Sequence, residues 1–301
     1  ASRFIMMNLG DTEVPKEMDP ARLDYASRWI LSKANTLAKD VTENMDKYEL
    51  GIAVQKVYDF IWEEFCDWYI EMSKPVLYSE NEDEKLPVLW TLKTVLSEAL
   101  KLLHPFMPFI TEEIYCTLNP DEESVMISPW PVYREERHFE EEESAVELMK
   151  EAVRRIRDVR SSHNVPPSKK ANVFIVSGEE DVLKKFREAE SFFGTLAHAE
   201  SVSLQKTKEN IDDDAFSAII PGAVIYIPFA DLIDIDKERE RLTKERERLT
   251  KEIARSNGML GNEKFLQKAP EKKVQEERDK LENYRQMMAQ VEERLAQLEK
   301  N

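Results

Sequence analysis

The chain has 301 residues, of which 42% are hydrophobic, enough to bury a core across two or three domains. It holds no run of about 18 apolar residues and opens Ala1-Ser2-Arg3-Phe4 without an apolar leader, so neither a membrane span nor a secretory signal is expected. Two cysteines and four histidines are too few for a cysteine-based zinc site or a disulfide framework and fit a reducing, cytoplasmic setting, while a formal charge of −17 speaks against a nucleic-acid partner until its distribution is read.

The opening Phe4, Ile5, Met6, Met7 and Leu9 starts inside an amphipathic pattern without an initiator Met, which reads as a piece of a longer protein. From Pro20 to about Leu118 the spacing predicts helices. Tyr58, Ile61, Trp62, Phe65, Trp68, Tyr69 and Met72 recur three or four residues apart and are assigned to core, as aromatics at helical spacing usually are. A second run from Leu89 to Leu103 ends at Pro105, and Pro108 opens another helix; His104 reads as a packed helix-end residue. Antiparallel helices with short connections make a bundle, and Ser124 to Tyr133 is an extended exit from it. The adjacent Glu140, Glu141, Glu142 and Glu143 cannot converge on one helix face to hold a metal and read as a solvated linker.

A helix over 144–162 follows, then strands at Ala171–Val176, Ser201–Leu204 and Phe216–Ile220, a helix from Asp181 to Phe193, and a hairpin partner at Ala223–Pro228 across Pro221-Gly222. This is a small α+β unit. From about Ile235, Leu242 and Leu249 share one heptad position with Ile235, and Ile253 takes the other. In a second helix Val274, Leu281, Met288 and Leu295 recur every seven residues, with Tyr284, Val291 and Leu298 at the companion position. Gly258, Gly261 and Pro270 interrupt the pattern, so the expectation is an antiparallel hairpin with a tip over 257–270. Arms of roughly 25 residues project about 35 to 40 Å. The fold class expected is mainly α: a helical bundle over 1–140, a helix plus small α+β connector over 141–234, and a coiled-coil hairpin arm over 235–301.

Charge is divided unevenly among these parts. Residues 236–301 carry 17 Lys and Arg against 15 Asp and Glu, whereas the rest carries 26 against 45. Most arm cations alternate with Glu as i,i+4 surface pairs, but Arg255, Lys264, Lys268, Lys272 and Lys273 flank the tip against only Glu263 and Glu271, with Phe265 among them. These six residues form a basic tip with one aromatic, and their candidacy for contact with a folded RNA rests largely on the family resemblance that follows. In the bundle, Arg3 is placed either to bridge to a preceding domain or to grip a base edge. Arg28, Trp29 and Lys33, and more weakly Lys85, Trp90 and Lys93, combine cations with an aromatic as an unstacked RNA loop requires, although core placement is favoured for Trp29.

Several stretches resemble the C-terminal part of bacterial valyl-tRNA synthetases. The opening Ala1-Ser2-Arg3-Phe4 is similar to the start of that family's anticodon-binding bundle. Tyr58 to Glu71 (YDFIWEEFCDWYIE) and Leu103 to Glu113 (LHPFMPFITEE) are similar to segments shared with the isoleucine and leucine enzymes. More selective for the valine enzyme are Val165 to Ala171 (VPPSKKA) and Asn262 to Pro270 (NEKFLQKAP). Isoleucine enzymes usually end in a cysteine zinc module, which two cysteines cannot build.

The resemblance covers essentially the whole chain. It implies that the catalytic and editing domains lie upstream, that the whole enzyme joins valine to its tRNA with ATP, and that this stretch binds tRNA(Val) without cofactor or metal. The sequence agrees in lacking a HIGH motif and, with seven glycines, any Gly-rich phosphate loop. Glu71-Met72-Ser73-Lys74-Pro75 only echoes the family's KMSKS loop: it ends an apolar helix and lacks the first lysine. The stretch is expected to do no chemistry alone, to be monomeric, and to bind neither DNA nor membrane. The implied partition is a bundle that reads the anticodon and an arm that holds the tRNA elbow; the rival is a non-catalytic module whose hairpin docks a protein.

Overall fold

The computed structural model describes residues 1–301 except Asn164, Ile233, Asp234, 263–269 and 299–301, with side chains left undescribed at 235–238, 293–294 and 296–298. The described residues form two compact units, one of 1–162 with 166–227, the other of 163–165 with 228–301.

The first unit begins with α1 (Ser2–Leu9), α2 (Tyr25–Asp46) and α3 (Leu50–Asp59), which runs through a π-helical stretch, Phe60–Tyr69, into α4 (Ile70–Leu77). Next come α5 (Glu82–Leu103), α6 (Pro108–Leu118) and α7 (Glu140–Ser162). Helix starts follow local chemistry. The Asp24 carboxylate accepts the Ser27 amide at 2.7 Å, Asn81 accepts that of Asp83, and Pro108 supplies a first-turn residue with no amide to satisfy. His104 closes α5 with its Nδ1 2.8 Å from Thr111 Oγ1, the packed helix-end role expected of it. The exit chain is pinned to α2. The Asn35 amide donates to the Arg134 carbonyl and its oxygen accepts the Arg134 amide, and Trp130 donates to Thr42.

A buried cation organises the core. Lys150 of α7 is 1% exposed, and its ammonium lies 2.6 Å from Glu64 and 3.0 Å from Glu147. It also sits over two rings, 5.2 Å from the centroid of Trp29 and 5.6 Å from that of Trp68. One side chain therefore joins α2, the π-helical stretch and α7.

Two expectations are corrected here. Phe65, Trp68, Tyr69 and Met72 are core, but Tyr58 and Trp62 are each 58% exposed, stacked on each other at the surface with centroids 6.4 Å apart. The π-helical i→i+5 bonding widens the turn, so aromatics spaced for one α-helical face do not all stay on it. The glutamate run is not a linker: Glu140–Glu143 is the first turn of α7, where acidic groups meet the positive end of the helix. Glu142 is buried against Arg28 at 3.2 Å, and Glu143 accepts a hydrogen bond from Ser32.

The α+β part holds four strands, β1 (Ala171–Val176), β2 (Ala199–Gln205), β3 (Phe216–Ile220) and β4 (Ala223–Ile227), in the order β2-β1-β4-β3. β2 runs parallel to β1, reached through α8 (Glu180–Glu188) and α9 (Glu190–Leu196); the other pairings are antiparallel. The single helix expected over 181–193 is thus two, broken at Ala189. Alternate residues Ala171, Val173 and Ile175 are buried, as strand periodicity requires. The β3–β4 turn at Pro221-Gly222 follows from residue chemistry. Proline presets the first central position, and Gly222 takes φ 73°, where an added Cβ would lie 3.0 Å from Val182.

In the second unit, α10 (Phe229–Leu232) precedes α11 (Ile235–Leu260) and α12 (Glu271–Leu298), which pack as an antiparallel pair. Leu242 of α11 meets Leu295 of α12 together with Phe229 and Val291, and at the other end Ser256 Oγ donates to Glu277 at 2.7 Å. Leu249 and Leu281 are buried between. At the described positions the seam is therefore the one the heptads predict, the side chains of Ile235 and Leu298 lying outside them, and α11 continues three residues past Asn257.

Replacing Lys150 by Ala is expected to cost about 3 kcal/mol, the low end for breaking a buried ion pair because Glu147 keeps solvent contact. Urea denaturation reads this as a lower midpoint; an unchanged midpoint would remove the cation from its organising role. A second expectation concerns His198, whose pKa is lowered below 6.5 by burial and then by Arg160 and Arg157. The unfolded chain takes this proton first, so the contribution is fully present above about pH 6.5 and is lost as the pH falls through the lowered folded value. His198→Asn, which keeps a residue tolerant of φ 53°, should flatten the melting temperature against pH in that window.

Candidate nucleic-acid interface

Arg3 is exposed on α1, whose Ile5 and Leu9 are buried. It lines an open hollow of about 420 Å³ with Ser2, Met6, Met7, Glu113, Ile114 and Thr117. A hollow lined by a guanidinium together with apolar Met and Ile side chains suits a planar group that is apolar on its faces and polar at its edges, as a nucleobase is.

The other bundle candidates are engaged within the fold. Arg28 donates to Glu142 at 3.2 Å and to the Pro20 carbonyl at 3.2 Å, leaving only Nε, itself buried, without a hydrogen-bond partner among the described residues. Trp29 is 0% exposed beneath Lys150, so its ring offers no free face to a base. Lys33 pairs with Glu147 at 3.5 Å. All three thus face α7. On α5, Lys85 pairs with Glu82 at 2.6 Å, Trp90 is buried, and Lys93 is half-buried. No hydrogen bond or ion pair joins the two sets among the described residues. The exposed Tyr58–Trp62 stack belongs to the aromatic stripe that the sequence assigns to core, because its α-helical spacing suits a core face.

On the arm, pairing of exposed cations follows the spacing. Lys244 meets Glu240 and Arg248 meets Glu245, each at 2.6 Å, and these partners hold the Glu240 and Glu245 carboxyls below their ordinary range. Such surface pairs contribute little stability. Arg255 is exposed, 3.9 Å from Glu252. Lys264, Phe265 and Lys268 lie outside the described residues. Lys272 and Lys273 are exposed in the first turn of α12, which Pro270 caps by accepting the Lys273 amide at 2.8 Å. Neither has an ion pair among the described residues. Two cations at the positive end of a helix oppose its dipole, so the dipole gives no reason for them.

Among the described residues there is no cluster of three His, Cys, Asp or Glu able to hold a metal, and no helix is long and apolar enough to cross a membrane.

Two family models match consecutive parts of the chain: the anticodon-binding domain of tRNA ligases over residues 27–175, and the valyl-tRNA synthetase tRNA-binding arm over residues 234–299. The valine–tRNA ligase of Clostridium acetobutylicum is 48% identical over 298 residues, 99% of this chain and 34% of that protein. Those of Clostridium perfringens and Bacillus thuringiensis are 46% and 39% identical, over 99% and 100% of this chain and again 34% of their own lengths. The chain thus spans about a third of the curated relatives it matches.

Proposed function

The chain belongs to the valyl-tRNA synthetase family, and on that premise we propose that it is the tRNA(Val)-binding part of a cytoplasmic, monomeric valine–tRNA ligase. The bundle reads the anticodon and the arm holds the tRNA elbow. The remaining two thirds of such an enzyme carry the catalytic and editing domains and act on valine and ATP; this part does no chemistry and holds no cofactor. Valine anticodons share A and C at their second and third positions, which gives the bundle two bases to read.

The observation that carries the RNA reading is the exposed pair Lys272 and Lys273 at the N-terminal turn of α12, without a carboxylate partner among the described residues. Point charges on a coiled coil grip phosphates and shape rather than sequence. Arg3 over its hollow is the base-reading group in this proposal, while Arg28, Trp29 and Lys33 hold the frame. A protein-docking hairpin is the rival, and the same binding assay separates the two, because protein docking predicts no anticodon-dependent or salt-dependent RNA affinity.

Binding of the chain to valine tRNA and to an anticodon-swapped tRNA is the test. Arg3→Ala should weaken the cognate complex by about 1 to 3 kcal/mol and spare the swapped one, as removing a hydrogen bond to a base edge does. Arg28→Ala should affect both alike through the fold. The double substitution of Lys272 and Lys273 by Ala should weaken both tRNAs equally and flatten the log–log salt slope by about 0.7 to 0.9 for each phosphate that the lysines had neutralised. An unchanged slope after the lysine substitutions would remove the arm from the RNA interface.

A further inference from the structure

The C-terminal turn of α7 gathers cationic groups whose charge is used neither in the α2–α7 ion pairs nor in the proposed interface. Arg160 is 5% exposed; its Nη2 donates to the carbonyls of Pro166 at 3.1 Å and Lys169 at 2.6 Å, and its buried Nη1 has no hydrogen-bond partner among the described residues. It makes no ion pair with a carboxylate among the described residues, and burial is the cause that pulls its pKa down. One turn earlier, Arg157 lies over the Trp68 ring and donates to the Leu196 carbonyl at 2.8 Å. Two residues beyond Leu196, half-buried His198 occupies the left-handed region at φ 53°, and its carbonyl accepts the Ala171 amide at 3.2 Å. The loop from Pro166 to Lys170 and the turn from Leu196 to His198 thus form one corner around the two arginines.

The charges there do not cancel. Asp67 and Glu71 face Arg157, and Glu200 lies 3.6 Å from Lys170, so those two cations are partly offset. Arg160 has no such partner among the described residues. The end of α7 contributes a negative partial charge of about half an elementary charge, less than the full charge of Arg160. Burial first, and then the charges of Arg160 and Arg157, lower the proton affinity of His198, so both arginines act on the imidazole. A buried guanidinium without counter-charge is costly, and an oxyanion is its natural complement.

We propose that this corner is an anion site that seats one backbone phosphate of the bound RNA, with His198 and Arg157 at its rim and Arg160 supplying charge from beneath. The RNA identity of that phosphate rests on the tRNA-binding reading above; the anion site does not. Nothing in the site reads a base, so its contribution is the same for cognate and anticodon-swapped tRNA.

The experiment follows the His198 imidazole by NMR in the full 301-residue chain while inorganic phosphate replaces chloride at constant ionic strength. Phosphate should raise the His198 pKa by about one unit, as an opposite charge within a few ångströms does. Arg160→Met should abolish the rise. Because that variant removes a buried group, His198→Asn serves as the surface change: it should keep the melting temperature at neutral pH and, measured at a pH below about 6 where the seated phosphate holds the imidazole protonated, reduce the tRNA salt slope by about 0.7 to 0.9. No movement of His198 with phosphate overturns the site. Movement with phosphate but an unchanged tRNA slope in His198→Asn means an adventitious ion only, and overturns the RNA seat. A chain that responds to phosphate yet binds no tRNA upholds the anion site and sinks the tRNA reading instead.

Discussion

The first unit depends on one ammonium group placed where water cannot reach it. Lys150 is held by Glu64 from the π-helical stretch, by Glu147 from its own helix, and by the faces of Trp29 and Trp68. Desolvating a lysine is costly, so the surrounding groups must all be in place together. That requirement fixes the register of α7 against α2, and the rest of the seam follows it: Arg28 meets Glu142, Ser32 meets Glu143, and Lys33 meets Glu147. Helix α7 then positions the sheet, through Arg157 on the Leu196 carbonyl and Arg160 on the loop before β1.

This internal use of charge explains how a strongly acidic chain fits an RNA-binding role. Residues 1–235 hold 45 acidic side chains against 26 basic ones, and several of those cations are consumed in the α2–α7 seam. A polyanion meets net repulsion over most of that surface, and favourable approach is confined to a few places. Arg3 beside its hollow, the lysines at the start of α12 and the corner around Arg160 are the places that the proposals above assign to it. Restricting attraction to a few points disfavours non-specific adsorption and leaves orientation to shape.

The arm solves a different problem. A two-helix hairpin has little interior, and its seam is thin: Leu242, Leu249, Leu281 and Leu295, with a Ser256–Glu277 polar layer near the tip end. A polar pair at a seam position is satisfied only in one alignment, so it specifies register at some cost in stability. The exposed faces are laced with i,i+3 and i,i+4 ion pairs, which keep the hairpin soluble and add little to its strength.

The sequence alone determined what depends on near neighbours: the heptads of α11 and α12, the Pro221-Gly222 turn, strand alternation in β1, and the helix start at Pro108. It also carried the family resemblance and the candidate cations. Tertiary structure decided what depends on partners distant in the chain. Arg28, Trp29 and Lys33 looked like an RNA-facing set because their composition suits one, but Glu142, Glu147 and Lys150, more than a hundred residues later, draw them inward. Glu140–Glu143 reads as linker until Arg28 and Ser32 are placed opposite it. Tyr58, at the end of α3, and Trp62, in the π-helical stretch that follows, lie at the surface where the helix changes geometry, a backbone choice that side-chain periodicity does not encode. Periodicity reports which face a residue is on if the helix is regular; what lies against that face is set by contacts between segments that the linear order keeps apart.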